Sequence, residues 1–150
     1  MRISPRPRAE NAYRREWGVG DRTLIVVAED ESIIRMDLVE SLRELGCDVV
    51  GEAGDGETAL ALVRGLLPDV ALLDIQMPIM DGYTAPRTIR QWEREHGHPP
   101  LTIVALTAHA MSGDRERFLA EGFNDYVSKP IVDEALLFDA IARHLTAPKA

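Results

Sequence analysis

Leu24-Ile25-Val26-Val27-Ala28-Glu29-Asp30-Glu31 is an apolar run of five residues that ends abruptly in three acids. A run of that length without polar alternation reads as a strand buried on both faces. The period then changes. Ile34, Leu38, Leu42 and Leu45 recur at spacings of four, four and three, the stripe of one helix face. Gly46 supplies the residue at which such a helix stops. The alternation continues along the chain. Val49-Val50-Gly51-Glu52-Ala53 reads as a second strand. Ala59, Leu60, Val63, Leu66 and Leu67 mark the apolar face of a second helix, closed by Pro68. Val70-Ala71-Leu72-Leu73 is a third strand, and Thr84 to about Glu95 a third helix. Pro86 is tolerable there only in the first turn, where its missing N–H is not needed. Leu101 to Leu106 is a fourth strand, followed by a helix over about Ser112–Ala120 that ends at Gly122. Asp125-Tyr126-Val127 is a short fifth strand, and Leu137, Ile141 and Leu145 give a last helix. Five continuous apolar strands alternating with five helices predict a doubly wound α/β domain with a parallel sheet and right-handed crossovers.

The chain has 150 residues, a prior for one domain with a substantial core. Acids outnumber bases 25 to 17. The imbalance is uneven: residues 1–22 carry six arginines against Glu10, Glu16 and Asp21, a net +3, whereas residues 23–150 carry 11 bases and 22 acids, a net −11. An acidic body argues against nucleic-acid binding, which needs a basic face. It suits a cation or a basic partner surface. No apolar run approaches the ~20 residues of a membrane helix, and no secretory signal opens the chain. A cytoplasmic protein is the expectation. The single cysteine, Cys47, excludes an internal disulfide and reads as a small core filler. Residues 1–22 read as a basic, flexible N-terminal arm, with a short helix near Ala9–Trp17 compatible with Tyr13 and Trp17 four apart. The domain proper spans 23–146, with a short tail over 147–150. So little chain after the last helix predicts a stand-alone domain.

The polar residues that follow each strand are the next signal. Glu29, Asp30 and Glu31 follow the first strand, Asp74 the third, Thr107 the fourth, and Ser128 and Lys129 the fifth. In an open parallel sheet the ligand site lies outside the carboxyl ends of the strands, where the strand order reverses. With strand order 2-1-3-4-5, Glu29, Asp30 and Asp74 converge, with Thr107 and Lys129 on the other side. Clustered carboxylates need a cation, and oxygen-only donors favour Mg²⁺ or Mn²⁺. A metal beside an amine and a hydroxyl makes a receptor for a phosphoryl group, and an Asp carboxylate can be the nucleophile that accepts one. Asp74, alone at the centre, is the better acceptor candidate, and Glu29 with Asp30 the better metal pair. Taken singly, each residue also has a plain reading: Asp30 or Thr107 as a helix cap, Lys129 as a surface charge.

These residues resemble a known family, the CheY-like receiver domain of two-component response regulators. The resemblance rests on Val26-Val27-Ala28-Glu29-Asp30-Glu31, on Leu72-Leu73-Asp74-Ile75-Gln76-Met77-Pro78 with Met80-Asp81-Gly82, on Ala105-Leu106-Thr107-Ala108, and on Tyr126-Val127-Ser128-Lys129-Pro130. It covers about Leu24 to Leu145. Ile33 to Leu38 with Gly51 to Gly56 resembles receivers of antiterminator-type regulators, and Ala105 to Ile131 receivers attached to hybrid sensor kinases. The resemblance implies a flavodoxin-like (βα)5 three-layer sandwich. It implies that Asp74 accepts a phosphoryl group from a phosphohistidine, and that Glu29, Asp30, Asp74 and the backbone carbonyl of Gln76 hold Mg²⁺, with Mn²⁺ as a substitute. It further implies that Thr107 and Lys129 bind the phosphoryl group, that Tyr126 is the switch aromatic, and that the Lys129–Pro130 bond is cis. Gln76 and His109 occupy the positions expected to tune the phosphoryl lifetime. Glu29 stands where Asp is common in the family, and Pro86 where an apolar residue is usual. His96, His98 and His144 are not expected to be ligands.

The implied partners are a sensor histidine kinase or a histidine phosphotransfer protein, a downstream protein target and, as an option on phosphorylation, a second copy of the chain. Output is expected from the face made by the fourth helix, fifth strand and fifth helix, about Ser112–Leu145. The chain is then a signalling module rather than an enzyme, apart from its own phosphotransfer and slow dephosphorylation. A phosphate shuttle or sink within a relay is the nearest alternative. A Mg²⁺-dependent phosphohydrolase is the rival from another class. Such an enzyme usually has an acid two residues after its nucleophile, where this chain has Gln76. A flavin-binding module on the same sheet would need a phosphate-cradling Gly/Ser/Thr loop after the first strand, where Glu29-Asp30-Glu31 stand instead.

Overall fold

The computed structural model describes residues 23–77, 84–108, 114–129, 131 and 133–145. The elements run β1 Leu24–Ala28, α1 Ser32–Leu45, β2 Asp48–Ala53, α2 Gly56–Leu66, β3 Val70–Asp74, α3 Thr84–His96, β4 Thr102–Thr107, α4 Asp114–Glu121, β5 Asp125–Ser128 and α5 Glu134–Arg143. All strand pairs are parallel, and the sheet order is β2-β1-β3-β4-β5. This is the flavodoxin-like order that the family resemblance implied.

Successive side chains of a strand point to opposite faces, and both faces of the central strands are covered. Ile25 and Val27 of β1, Val70 and Leu72 of β3, and Val104 and Leu106 of β4 pack with α1 and α5. The alternate residues Ala28, Ala71, Leu73, Ile103 and Ala105 pack with α2, α3 and Phe118 of α4. The small residues on this second face let the helices approach closely. Among the described residues, no helix is long and apolar enough to cross a membrane.

Local chemistry sets the element ends. Gly46 caps α1 with φ 103°, and its N–H bonds the carbonyls of Arg43 and Leu42. Asp55 caps α2 by accepting the Thr58 N–H at 2.7 Å and the Thr58 hydroxyl at 3.0 Å. Pro86 is buried in the first turn of α3, as its missing donor requires. Cys47 is buried.

Several expectations are corrected. The outer strands are not covered on both faces: Val50 and Glu52 of β2 are exposed, and Tyr126 of β5 is only half-buried. Edge strands reach past the helices that cover the centre. Leu66 and Leu67 are 42% and 47% exposed rather than core, because α2 ends there and Leu67 turns the chain into the left-handed region. Leu145 lies beyond the end of α5, which stops at Arg143, yet still packs against the α1/α5 core. Leu101 precedes β4, and its N–H bonds the Glu93 carboxylate at 2.7 Å instead of a ladder partner. The arm 1–22, the tail 147–150, the Met80-Asp81-Gly82 motif, the expected start of the fourth helix at Ser112, His109 and Pro130 lie outside the described residues.

Candidate functional site

β1 and β3 are neighbours with Ala28 opposite Leu73, so the residues that follow them share one edge of the sheet. Glu29 is fully buried there, and Asp74, the last residue of β3, is 2% exposed. Asp30 opens to solvent. Each of the three acids offers a carboxylate oxygen, and these oxygens lie within 4.8 Å of one another. Two backbone donors orient the buried pair: the Glu31 N–H donates to Glu29 at 3.0 Å, and the Gln76 N–H to Asp74 at 3.0 Å.

Lys129 completes the cluster. The Lys129 N–H donates to the Thr107 carbonyl at 2.7 Å, which anchors the residue to the end of β4. Its ammonium bonds Glu29 Oε1 at 2.8 Å and stands 3.2 Å from Asp74 Oδ2. The side chain is 11% exposed, so it is no surface charge. Burial works against the ammonium, but the Glu29 hydrogen bond and the Asp74 charge outweigh it and hold its pKa above the ordinary 10.5. One cation therefore balances only part of a three-acid cluster, which leaves the site attractive to a second.

Thr107, the last residue of β4, lies one rung beyond the Asp74–Leu106 pair and is buried. The side chain of Gln76 is exposed. Tyr126 lies half-buried, its ring 5.2 Å from that of Phe118 in α4, which in turn meets Phe123 edge-on at 5.7 Å. The described histidines stay apart from the cluster: His96 and His98 pair with the Trp92 and Pro99 carbonyls, and His144 Nε2 lies 3.2 Å from Asp125.

Sequence reasoning gave Arg35 no role. Its Nη1 donates to the Glu29 carbonyl at 2.6 Å, directly behind the acids. A signal was present, because a cation in the first turn of a helix opposes the macrodipole unless something nearby pairs with it.

A cluster of carboxylates at the reversal point of a 2-1-3-4-5 parallel sheet defines the class: a doubly wound α/β module with its charged groups gathered at the strand ends. Residues 25–142 match the response regulator receiver domain, and the chain belongs to that family, the receivers of two-component signal transduction. Its relatives include the sensor protein GacS of Pseudomonas syringae pv. syringae, 39% identical over 131 residues, which are 85% of this chain and 14% of that protein. The transcriptional regulatory protein PdtaR of Mycobacterium tuberculosis is 41% identical over 106 residues, 71% of this chain and 49% of that protein. The chain thus spans half or less of these relatives. Among solved structures, the receiver domain of the sensor histidine kinase PA1611 from Pseudomonas aeruginosa PAO1 is similar, with 34% identity and a TM-score of 0.72 over 84% of this chain and 99% of that one. That structure has a magnesium ion coordinated in its active site cleft. Receivers are signalling modules, not enzymes with a separate substrate.

Proposed function

We propose that this chain is a phosphorylation switch in which Asp74 accepts a phosphoryl group in the presence of Mg²⁺, with Mn²⁺ able to substitute. The observation that supports this most is the cluster itself: three carboxylates within 4.8 Å of one another, with Lys129 bridging Glu29 and Asp74. The donor set fits a hard cation, since it is all oxygen and carries surplus negative charge. Glu29, Asp30, Asp74 and the Gln76 backbone carbonyl would hold the ion. When bound, it offsets charge on the phosphoryl oxygens.

The residues of the chain do the rest. An Asp74 carboxylate oxygen attacks the phosphorus of a phosphohistidine on a sensor kinase or phosphotransfer protein. The P–N bond breaks as the P–O bond forms, and the freed imidazole takes up a proton. The Lys129 ammonium, already 3.2 Å from Asp74, moves from carboxylate to phosphoryl oxygen. Thr107 donates its hydroxyl to the same group. That pull on Thr107 vacates space beside β4, into which the half-buried Tyr126 turns. The packing of α4, β5 and α5 then changes, and this face meets the downstream target. Water later hydrolyses the acyl phosphate and regenerates the Asp74 carboxylate, with Gln76 and His109 setting the rate. The working unit is residues 23–146.

A phosphate shuttle or sink uses the same chemistry with a second histidine as the acceptor from Asp74. The test is intact-mass spectrometry after incubation with a small phosphodonor and Mg²⁺. The wild-type chain gains one phosphoryl group, and Asp74→Asn gains none. Labelling that persists in Asp74→Asn overturns the assignment, and steady turnover of a phosphomonoester favours a phosphohydrolase.

A further inference from the structure

Arg35 links two loops at the rim of the acidic site. From the first turn of α1 its Nη1 donates to the Glu29 carbonyl at 2.6 Å. Its Nε stands 3.4 Å from Glu52 Oε1 of β2, close enough for charge pairing but not hydrogen-bonded, and is buried. Nη1 also lies 3.5 Å from where a Cβ on Gly54 would be, so the guanidinium packs over the β2–α2 loop. The backbone of the same region is tied down on its other side, where the Glu29 N–H donates to the Ala53 carbonyl at 2.9 Å.

The Glu29 carbonyl belongs to the peptide that joins Glu29 to Asp30. Holding it fixes the plane of that peptide, and with it the direction in which the exposed Asp30 leaves the backbone. Asp74 sits on a strand, and Glu29 is buried and bonded to Lys129 and to the Glu31 N–H. Among the described residues, none holds the Asp30 carboxylate in this way. We propose that Arg35 is a positioning residue for the divalent cation. It orients the Glu29–Asp30 peptide so that Asp30 faces Glu29 and Asp74, and Glu52 limits the repulsion its charge would exert on the ion. This inference rests on the phosphoacceptor reading, since it presumes that the three acids take up a cation.

The two effects of Arg35 have opposite signs, which makes the inference testable. As a bare positive charge it would weaken cation binding, whereas as an orienting donor it strengthens it. Mg²⁺ titration of the full chain by calorimetry separates them, using Arg35→Met, which keeps the stem, and Arg35→Lys, which keeps the charge but not the planar fork. Folding of each variant is checked by urea denaturation. The expected result is Mg²⁺ binding weakened about tenfold in both variants. Tighter binding in Arg35→Met with no change in Arg35→Lys means that only the charge matters and overturns the inference. Unchanged affinity in both, with reduced stability, assigns Arg35 to the fold alone and also overturns it. If the wild-type chain takes up no Mg²⁺, it is the phosphoacceptor reading that fails.

Discussion

Replacing Lys129 by Met tests the electrostatics of the site directly. The ammonium is 2.8 Å from a Glu29 oxygen and 3.2 Å from an Asp74 oxygen, and both acids are buried. At an effective dielectric constant of about 20, each contact is worth a gross ~5–6 kcal/mol, most of it offset by the desolvation of the charges. What remains on truncation is the cost of two buried carboxylates that have lost their cation, about 3–5 kcal/mol. The variant should therefore be less stable than wild type by that amount in urea denaturation with a chelator present. Magnesium should shrink the deficit. The ion no longer competes with the ammonium, so it binds the variant more tightly, and each tenfold gain in affinity recovers about 1.4 kcal/mol at saturating ion. The assay is a pair of urea curves for each protein, with chelator and with excess Mg²⁺. A deficit below about 1 kcal/mol with chelator, the range of exposed ion pairs, would refute the picture of a buried, cation-dependent cluster. So would a deficit that Mg²⁺ leaves unchanged.

The same lysine gives a pH dependence with a definite sign. Its folded pKa lies above the unfolded 10.5, so its stabilisation is fully present below pH 10.5 and is lost as pH rises through the higher folded value. The stability gap between wild type and Lys129→Met should be flat up to that pH and narrow beyond it; narrowing on the acid side of 10.5 would point to a different group. Away from the site, Glu93 of α3 is buried, bonds the Leu101 N–H at 2.7 Å and accepts from Arg90 at 3.0 Å. Glu93→Ala should cost about 3–5 kcal/mol of unfolding free energy in urea denaturation, since it removes the carboxylate paired with a half-buried guanidinium and leaves an unpaired N–H at the entry to β4. A loss under ~1 kcal/mol would mean that Arg90, which also holds the Leu101, Gly122 and Asn124 oxygens, keeps that corner intact by itself.

Much of this molecule was legible from periodicity and position. β1 is apolar along its whole length, and β3 and β4 are apolar between their polar ends, because both faces are covered, so a run such as Ile25-Val26-Val27-Ala28 identifies itself without a structure. The acids at the strand ends were equally legible, because the parallel topology sends every strand's carboxyl end to one edge. The rim was harder to read. Leu66 and Leu67 continue the helical period of α2 but run past the elements they would pack against, and periodicity carries no information about where a packing partner stops. Leu145 extends the period of α5 in the same way, and packs although the helix has ended.

By itself, then, the amino-acid order determined the alternation of elements and the parallel class of the sheet, since both follow from local period and the handedness of βαβ crossovers, whereas the order β2-β1-β3-β4-β5 came from the family resemblance and the structure. The tertiary structure alone decided the pairings at the carboxyl edge of the strands. Lys129 lies 100 residues from Glu29, and its choice of Glu29 and Asp74 depends on the register of β4 and β5. Arg35 is near Glu29 in sequence, but its hold on that carbonyl depends on β2 placing Glu52 and Gly54 against it. A charge in a sequence states what it can bind; only packing, by burying it and bringing particular oxygens within hydrogen-bonding distance, decides what it does bind.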